Sequence, residues 1–178
     1  MTKPIVKIVS FAFFDHNFLE SIASTISQEF KLEVQIIEGH LDLSYYFDPS
    51  RSQYKGNELL KTVEDGFSQK NLKIIGLFNV DLFIPILTYI FGQAYLGGHS
   101  AIASAQRLNN ARYGMKEDPV QLLDRMAKEV NHELGHTFGL IHCHVPNCVM
   151  SSSTYVEDID QKSKSFCNRC REKLKIIC

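Results

Sequence analysis

The feature that most constrains the fold of this chain is an eleven-residue string, HELGHTFGLIH, at His132–His142. In a helix, residues four apart lie on one face, so His132 and His136 are expected to project one turn apart. Gly139 tolerates a positive φ, which allows the helix to end there and the chain to reverse direction. Such a reversal can return a third imidazole, that of His142, to the other two. The string therefore predicts a helix that ends beside three converging histidines.

The start of this helix is also marked in the sequence. Asp118 is a suitable N-cap, Pro119 suits the first helical position, and Gln121 is placed to reach back to the cap. Apolar residues then recur at helical spacing on one face, while Glu133 and the two histidines project from another face. The apolar residues are Val120, Leu123, Ala127, Val130 and Leu134. We predict that this apolar face packs on the core.

Three histidines in this arrangement are typical of a catalytic zinc site. We predict that His132, His136 and His142 bind Zn²⁺, since three protein ligands leave the fourth position open for water. Glu133 is placed to accept a proton from that water and to return it to a leaving amine, which implies hydrolysis of a peptide bond. Two solvated or hydrogen-bonded histidines are the alternative, but that alternative accounts only for the shorter motif H-E-x-x-H. The remaining histidines are interpreted as surface or structural residues: His16, His40, His99 and His144.

All five cysteines lie at or after Cys143. Cys143 and Cys148 are separated by four residues, and Cys167 and Cys170 by two, a spacing typical of a closed, structural four-thiolate zinc site. Two disulfides or free thiols are the alternatives, and disulfides do not persist in a reducing cytoplasm. Cys178 is left without a role. Six basic residues near the second pair either offset the thiolate charge or form a solvated helix face: Lys162, Lys164, Arg169, Arg171, Lys173 and Lys175.

The first 80 residues alternate strand-like and helix-like patterns, which favours an α/β fold with apolar strands buried on both faces of a sheet. Two further short strands, joined by a glycine-containing turn, are expected after them, with one at the open edge of the sheet. The predicted strands are 3–10, 32–37, 72–80, 91–96 and 101–108, and the predicted helices are 17–30 and 54–69, with a turn at 48–50.

Composition excludes several classes of protein. The chain is 44% hydrophobic and 22% charged with a formal charge of −1, which gives no reason to expect binding to nucleic acid or to an anionic membrane. The longest apolar run, Leu82–Phe91, is too short for a membrane span and contains Pro85. Ile5–Phe14 is apolar, but Lys7 interrupts it and no cleavage site precedes Asp15, so a buried strand is the preferred interpretation. We expect a cytoplasmic protein.

The combined pattern resembles the archaemetzincins, a family in the metzincin clan of zinc peptidases. The histidine string is similar to the metzincin motif. The residues that follow it make the resemblance specific: Cys143, Cys148, Met150, Cys167 and Cys170. Two upstream stretches, 81–85 and 91–94, also look like this family, so the resemblance covers most of the chain.

The resemblance implies a zincin-like α/β catalytic domain over residues 1–178. A cleft would divide an N-terminal part, about 1–138, from a short zinc-stapled C-terminal part, about 139–178. The edge strand near 91–108 would bind an extended peptide by β-augmentation. Met150 would form a floor under the site without touching the metal.

One position departs from several metzincins. Those relatives place a tyrosine two residues after the turn methionine, where this chain has Ser152. Tyr155 is nearby but receives no role, so stabilisation of the transition state is assigned to the metal alone.

These observations predict a zinc metallopeptidase that acts on peptides or proteins and holds one catalytic and one structural Zn²⁺. A zinc-stabilised module that binds peptides without cutting them is the alternative, although binding alone does not require Glu133. A four-cysteine nucleic-acid module is disfavoured, because the chain has no aromatic–basic stripe. Because Cys143 directly follows His142, the two metal sites are expected to be mechanically linked.

Overall fold

A computed structural model describes residues 3–177, and Cys178 lies outside the described residues. Eight strands and five α-helices are described, with two short 3₁₀-helices at Leu43–Tyr46 and Asn110–Tyr113. In chain order these elements are β1 (Ile5–Ser10), α1 (His16–Phe30), β2 (Val34–Glu38), β3 (Phe47–Asp48), β4 (Gln53–Lys55), α2 (Gly56–Phe67), β5 (Leu72–Phe78), β6 (Leu82–Phe83), β7 (Gly92–Ala94), β8 (Ser100–Ser104), α3 (Pro119–Thr137), α4 (Val156–Gln161) and α5 (Asn168–Ile177).

The main sheet has the strand order β2-β1-β5-β8-β7. Its first four strands are parallel, and β7 pairs antiparallel with β8 at the edge. The predicted mixed α/β fold and its short edge strand are therefore confirmed, although β7 and β8 are shorter than expected. A second small sheet, β3-β4-β6, was not predicted. It includes Tyr54 and Lys55, so the predicted start of α2 at residue 54 is wrong.

Both faces of the main sheet are covered. On β8, Ala101 and Ala103 pack with α1 and α3, while Ile102 packs with α2 on the opposite face. This alternation follows from the two-residue period of a strand. The central strands are almost continuously apolar because neither face meets water, as their sequences predict.

The first turn of α3 departs from the prediction in two places. Asp118 caps the helix as expected, accepting the backbone N–H groups of Val120 and Gln121 at 3.0 Å. The Gln121 side chain does not reach back to the N-cap. Its Oε1 instead accepts a hydrogen bond from Nδ2 of Asn110 at 2.8 Å. Val120 is 79% exposed, because the helix enters the protein only further along, where every residue from 125 to 135 is buried.

The C-terminal part shares the core of the sheet. Met150, Ile159 and Phe166 are buried in the same cluster as α1 and α3. The Phe166 ring stands edge-on to Phe30, with the ring centroids 5.2 Å apart. Between residues 3 and 177, no helix is long and apolar enough to cross a bilayer.

Candidate active site

Three histidines converge at the end of α3. His132 and His136 lie on successive turns, and Gly139, with φ +81°, reverses the chain so that His142 approaches them. One nitrogen from each ring lies within 4.8 Å of the others. None of the other four histidines belongs to this group. His16, His40 and His144 are exposed, and Nδ1 of His99 lies 3.1 Å from the Leu72 carbonyl oxygen.

Two of the rings are oriented by backbone carbonyl groups. Nδ1 of His132 lies 2.8 Å from the Val149 oxygen, and Nδ1 of His136 lies 2.7 Å from the Leu140 oxygen. Each Nδ1 therefore donates, which leaves each Nε2 as an acceptor. The two Nε2 atoms are 3.1 Å apart. Two nitrogens bound to one tetrahedral Zn²⁺ lie roughly 3.4 Å apart, so this pair fits a shared cation.

The surroundings keep these imidazoles neutral. Burial lowers the pKa of His132 well below its ordinary value, and the Lys162 ammonium lowers it further. Burial also lowers the pKa of His136 and that of His142. Neutral imidazole is the form that binds a metal, so burial prepares the rings for that role.

Glu133 lies in a buried group with two residues whose importance was not predicted, Glu129 and Lys162. The three residues are 4–5% exposed. Burial raises the pKa of Glu133 well above its ordinary value, and the neighbouring Glu129 raises it further through charge and a hydrogen bond. Lys162 Nζ lies 3.5 Å from Nδ1 of His132 and donates to the Ser151 carbonyl oxygen at 3.1 Å.

Gly92 and Gly135 allow close approaches at the site. A Cβ on Gly92 in β7 would lie 2.7 Å from Cγ of Glu133, so the edge strand runs directly against that side chain. A Cβ on Gly135 would lie 2.5 Å from Sδ of Met150, which is fully buried. Met150 thus packs against α3 in the turn between His132 and His136.

Two cavities meet over His132, Glu133 and His142. One, of about 370 Å³, extends to Tyr155, Glu129 and Lys162, and is named here the Lys162 cavity. The other, of about 410 Å³, extends along β7 to Leu96 and Ile141, and is named the Leu96 groove. Ser152 is exposed and lines the Lys162 cavity, as does Tyr155. Because β7 is the last strand of its sheet, its outer edge forms one wall of this cleft.

The four cysteines form a second cluster next to the first. Their sulfur atoms all lie within 4.8 Å of one another, with Cys143–Cys167 and Cys148–Cys170 at 3.8 Å. A disulfide needs about 2.05 Å, and all four thiols are free. Two sulfurs on one tetrahedral Zn²⁺ lie roughly 3.8 Å apart, so the cluster fits a zinc ion.

Hydrogen bonding prepares one thiol for ionisation. Burial opposes ionisation of Cys167, but hydrogen bonds from the Cys170 backbone and the neighbouring thiols outweigh it and lower the pKa to about 7. Burial and these same neighbours raise the pKa of Cys170.

Two of the basic residues near the thiolates pair with carboxylates. Arg171 pairs with Glu29 at 2.9 Å, and Lys164 pairs with Asp124 at 3.7 Å. Lys162 is buried beside His132, so the solvated helix face is wrong for this residue. A backbone hydrogen bond connects the cysteine cluster with the floor of the histidine cluster. The Cys143 N–H donates to the carbonyl oxygen of Met150 at 2.9 Å.

Comparison with known proteins agrees with this geometry. Residues 10–176 match the model of Peptidase family M54. The chain is 43% identical over 125 residues to an archaemetzincin of Methanopyrus kandleri, covering 70% of this chain and 67% of that protein. It is 37% identical over 163 residues to an archaemetzincin of Pyrococcus horikoshii, covering 89% and 86%.

Solved structures give the same result. The crystal structure of the Methanopyrus kandleri archaemetzincin superposes with a TM-score of 0.85 at 33% identity, covering 98% of this chain and 95% of that one. A zinc-dependent peptidase from Methanocorpusculum labreanum superposes with a TM-score of 0.85 at 29% identity, covering 95% and 99%. The chain therefore belongs to peptidase family M54, the archaemetzincins, and is a zinc-dependent metallopeptidase.

Proposed function

We propose that this protein hydrolyses peptide bonds with a zinc ion held by His132, His136 and His142. One observation carries the proposal: Nε2 of His132 and Nε2 of His136, both acceptors, face each other at 3.1 Å. No hydrogen bond can satisfy that pair, whereas one cation satisfies both atoms. A bound zinc lowers the pKa of a water to about 7 and polarises a substrate carbonyl.

Glu133 is the proposed general base. Glu133 lines both cavities together with His132 and His142, so it can meet a water and a peptide at the same place. The raised pKa of Glu133, caused first by burial, favours uptake of a proton. The same carboxyl then returns that proton to the leaving amine.

β7 is the proposed holder of the substrate. Its outer edge is unpaired and lies against Glu133 through Gly92. An extended segment of a peptide or protein can therefore add to the sheet by backbone hydrogen bonds, with its scissile bond above the histidines.

We further propose a second, structural Zn²⁺ on Cys143, Cys148, Cys167 and Cys170. The two sulfur–sulfur distances of 3.8 Å support this assignment. A thiolate site without disulfides also supports a cytoplasmic location. The zinc would secure the segment that carries His142, because that residue adjoins Cys143.

The domain division is proposed as well. The chain is assigned as one catalytic domain over 1–178, with an N-terminal part of about 1–138 and a C-terminal part of about 139–178. The contact between Phe166 and Phe30 supports a single core shared by both parts.

Metal content and cleavage together test these assignments. Protein purified without a chelator or a histidine tag should contain two zinc ions per chain, and Cys167→Ser should contain fewer. Glu133→Ala should keep both ions and lose cleavage of a peptide mixture. His144→Ala is the matched control, since His144 is exposed and lies outside the group, and it should behave as the unmodified chain does. Equal cleavage by Glu133→Ala would contradict the proposed base, and bound peptide that is never cut would favour a binding module.

A further inference from the structure

The two cavities that meet at the histidines differ in chemical character. The far end of the Lys162 cavity carries Glu129, Lys162 and the hydroxyl groups of Ser152, Ser153 and Thr154. The Leu96 groove carries five aliphatic side chains: Ile84, Leu87, Ile90, Leu96 and Ile141. Leu87 and Ile90 also line the Lys162 cavity, so Ile84, Leu96 and Ile141 distinguish the groove. Apart from Glu133 and the histidines, no ionisable residue lines this groove within the described part of the chain.

Several of these aliphatic groups face water in the free protein. Leu96 is 61% exposed, Ile141 60% and Leu87 49%. Covering them with an apolar group would remove that surface from water, which is favourable. They also stand around the histidines, because Ile141 directly precedes His142 and Leu96 follows β7 by two residues.

The rim of the groove is held in place before anything binds. The Gly97 N–H donates to the His136 carbonyl at 2.8 Å, which ties the segment after β7 to the end of α3. The Tyr95 N–H donates to the Ser100 carbonyl at 3.1 Å. A rim fixed in this way loses little conformational freedom on binding, so the contact with a ligand retains more of its favourable free energy.

We propose that the Leu96 groove is a subsite for aliphatic side chains of the substrate on one side of the scissile bond. This inference rests on the proposed function and adds a substrate class to it: extended segments that carry Leu, Ile, Val or Met there. Along an extended peptide, alternate side chains face the same way, so residues two apart would enter the groove together. The Lys162 cavity shares Leu87 and Ile90 with the groove but adds the charged residues Glu129 and Lys162, so the aliphatic preference is expected on the side of the groove.

Peptide mixtures that differ at one position test the subsite, with the zinc-loaded full chain and mass spectrometry of the products. We expect kcat/KM to be about tenfold or more higher for Leu than for Ala or Asp on one side of the cut. Ile141→Lys should reduce that ratio and raise cleavage of peptides with Asp at the same position. Ile86→Lys is the matched control, since Ile86 is 85% exposed and lies outside both cavities, and it should keep the unmodified preference.

Binding to the zinc-loaded Glu133→Ala variant separates this inference from the proposed function. A Leu-containing peptide should bind about tenfold more tightly than its Asp counterpart, and Ile141→Lys in the same background should remove that difference. Cleavage or binding without an aliphatic preference, or a preference unchanged by Ile141→Lys, would overturn the subsite. Aliphatic-selective binding without any cleavage by the unmodified chain would keep the subsite and contradict the peptidase mechanism.

Discussion

Replacing Gly135 with alanine tests whether Met150 is packed against the histidine helix. The new methyl carbon would lie 2.5 Å from Sδ of Met150 and 3.2 Å from Cε1 of Phe166. Atoms in contact prefer about 3.5–4.0 Å, so the sulfur must move by about 1 Å. Met150 is fully buried and Phe166 is 3% exposed, so neither has free space to enter. Overpacking of this kind costs about 1–3 kcal/mol of unfolding free energy.

A helical alanine is also intrinsically favoured over glycine by up to about 1 kcal/mol, so a control must remove that contribution. Gly66 in α2 supplies it, because a Cβ there meets nothing within 4 Å. Gly66→Ala should be neutral or slightly stabilising, and Gly135→Ala should be less stable than it by about 1–3 kcal/mol. The chain has no tryptophan, so unfolding in urea is followed by circular dichroism of the zinc-loaded proteins.

The double variant measures the coupling between positions 135 and 150. Met150→Ala alone should cost about 2–5 kcal/mol, because it leaves a cavity. Adding Gly135→Ala should then cost less than it does in the unmodified chain, with a coupling of at least about 0.5 kcal/mol. Strictly additive costs, or Gly135→Ala as stable as Gly66→Ala, would refute the packing described here.

Three further outcomes are expected. Gly92→Ala would place a methyl 2.7 Å from Cγ of Glu133, so kcat should fall about 100-fold with zinc content unchanged; an unaltered kcat would contradict this contact. Lys162→Met removes the buried ammonium that donates to the Ser151 carbonyl oxygen and should cost about 1–3 kcal/mol in urea unfolding, whereas the exposed Lys164→Met should cost about 1 kcal/mol or less; equal costs would argue against a role for this contact. Burial lowers the pKa of His132, so in metal-free protein its contribution to stability is full above about pH 6.5 and is lost as pH falls through the folded pKa. The Tm of the chelated protein should therefore decrease as the pH is lowered below about 6.5, and it should decrease less in His132→Asn. Equal pH profiles for the two proteins would contradict His132 as the source of this pH dependence.

The side-chain groups that the structure brings together as expected depend on short-range rules. Helical spacing brings His132 and His136 together, and Gly139 turns the chain so that His142 can follow. The cysteines converge for a similar reason. The two members of each pair are close in sequence, so the only long-range contact needed is the one that brings one pair to the other. Alternating strand and helix patterns likewise predicted the α/β fold and its short edge strand.

The parts that were missed depend on long-range packing. Periodicity identified the apolar face of α3 but not the point at which that helix enters the core, so Val120 was wrongly assigned to the buried face. Glu129 stands one turn before Glu133, a local signal for a carboxyl pair that could have been used. Lys162 has no such signal, because thirty residues separate it from His132 and only the folded chain brings them together.

The edge strand β7 is only three residues long, and this limits what it can pair with. A long exposed edge would serve as a template for another sheet and would promote aggregation. Three residues packed beside α3 offer few backbone groups for that, so we expect a strand already fixed in a folded protein to pair poorly with them. If β7 holds the substrate as proposed, a locally unfolded segment is the form expected to bind there. The rate at which this peptidase cleaves a folded substrate protein should therefore depend on how often the cleaved segment of that substrate unfolds locally. The cleavage rate would then report the local stability of the substrate.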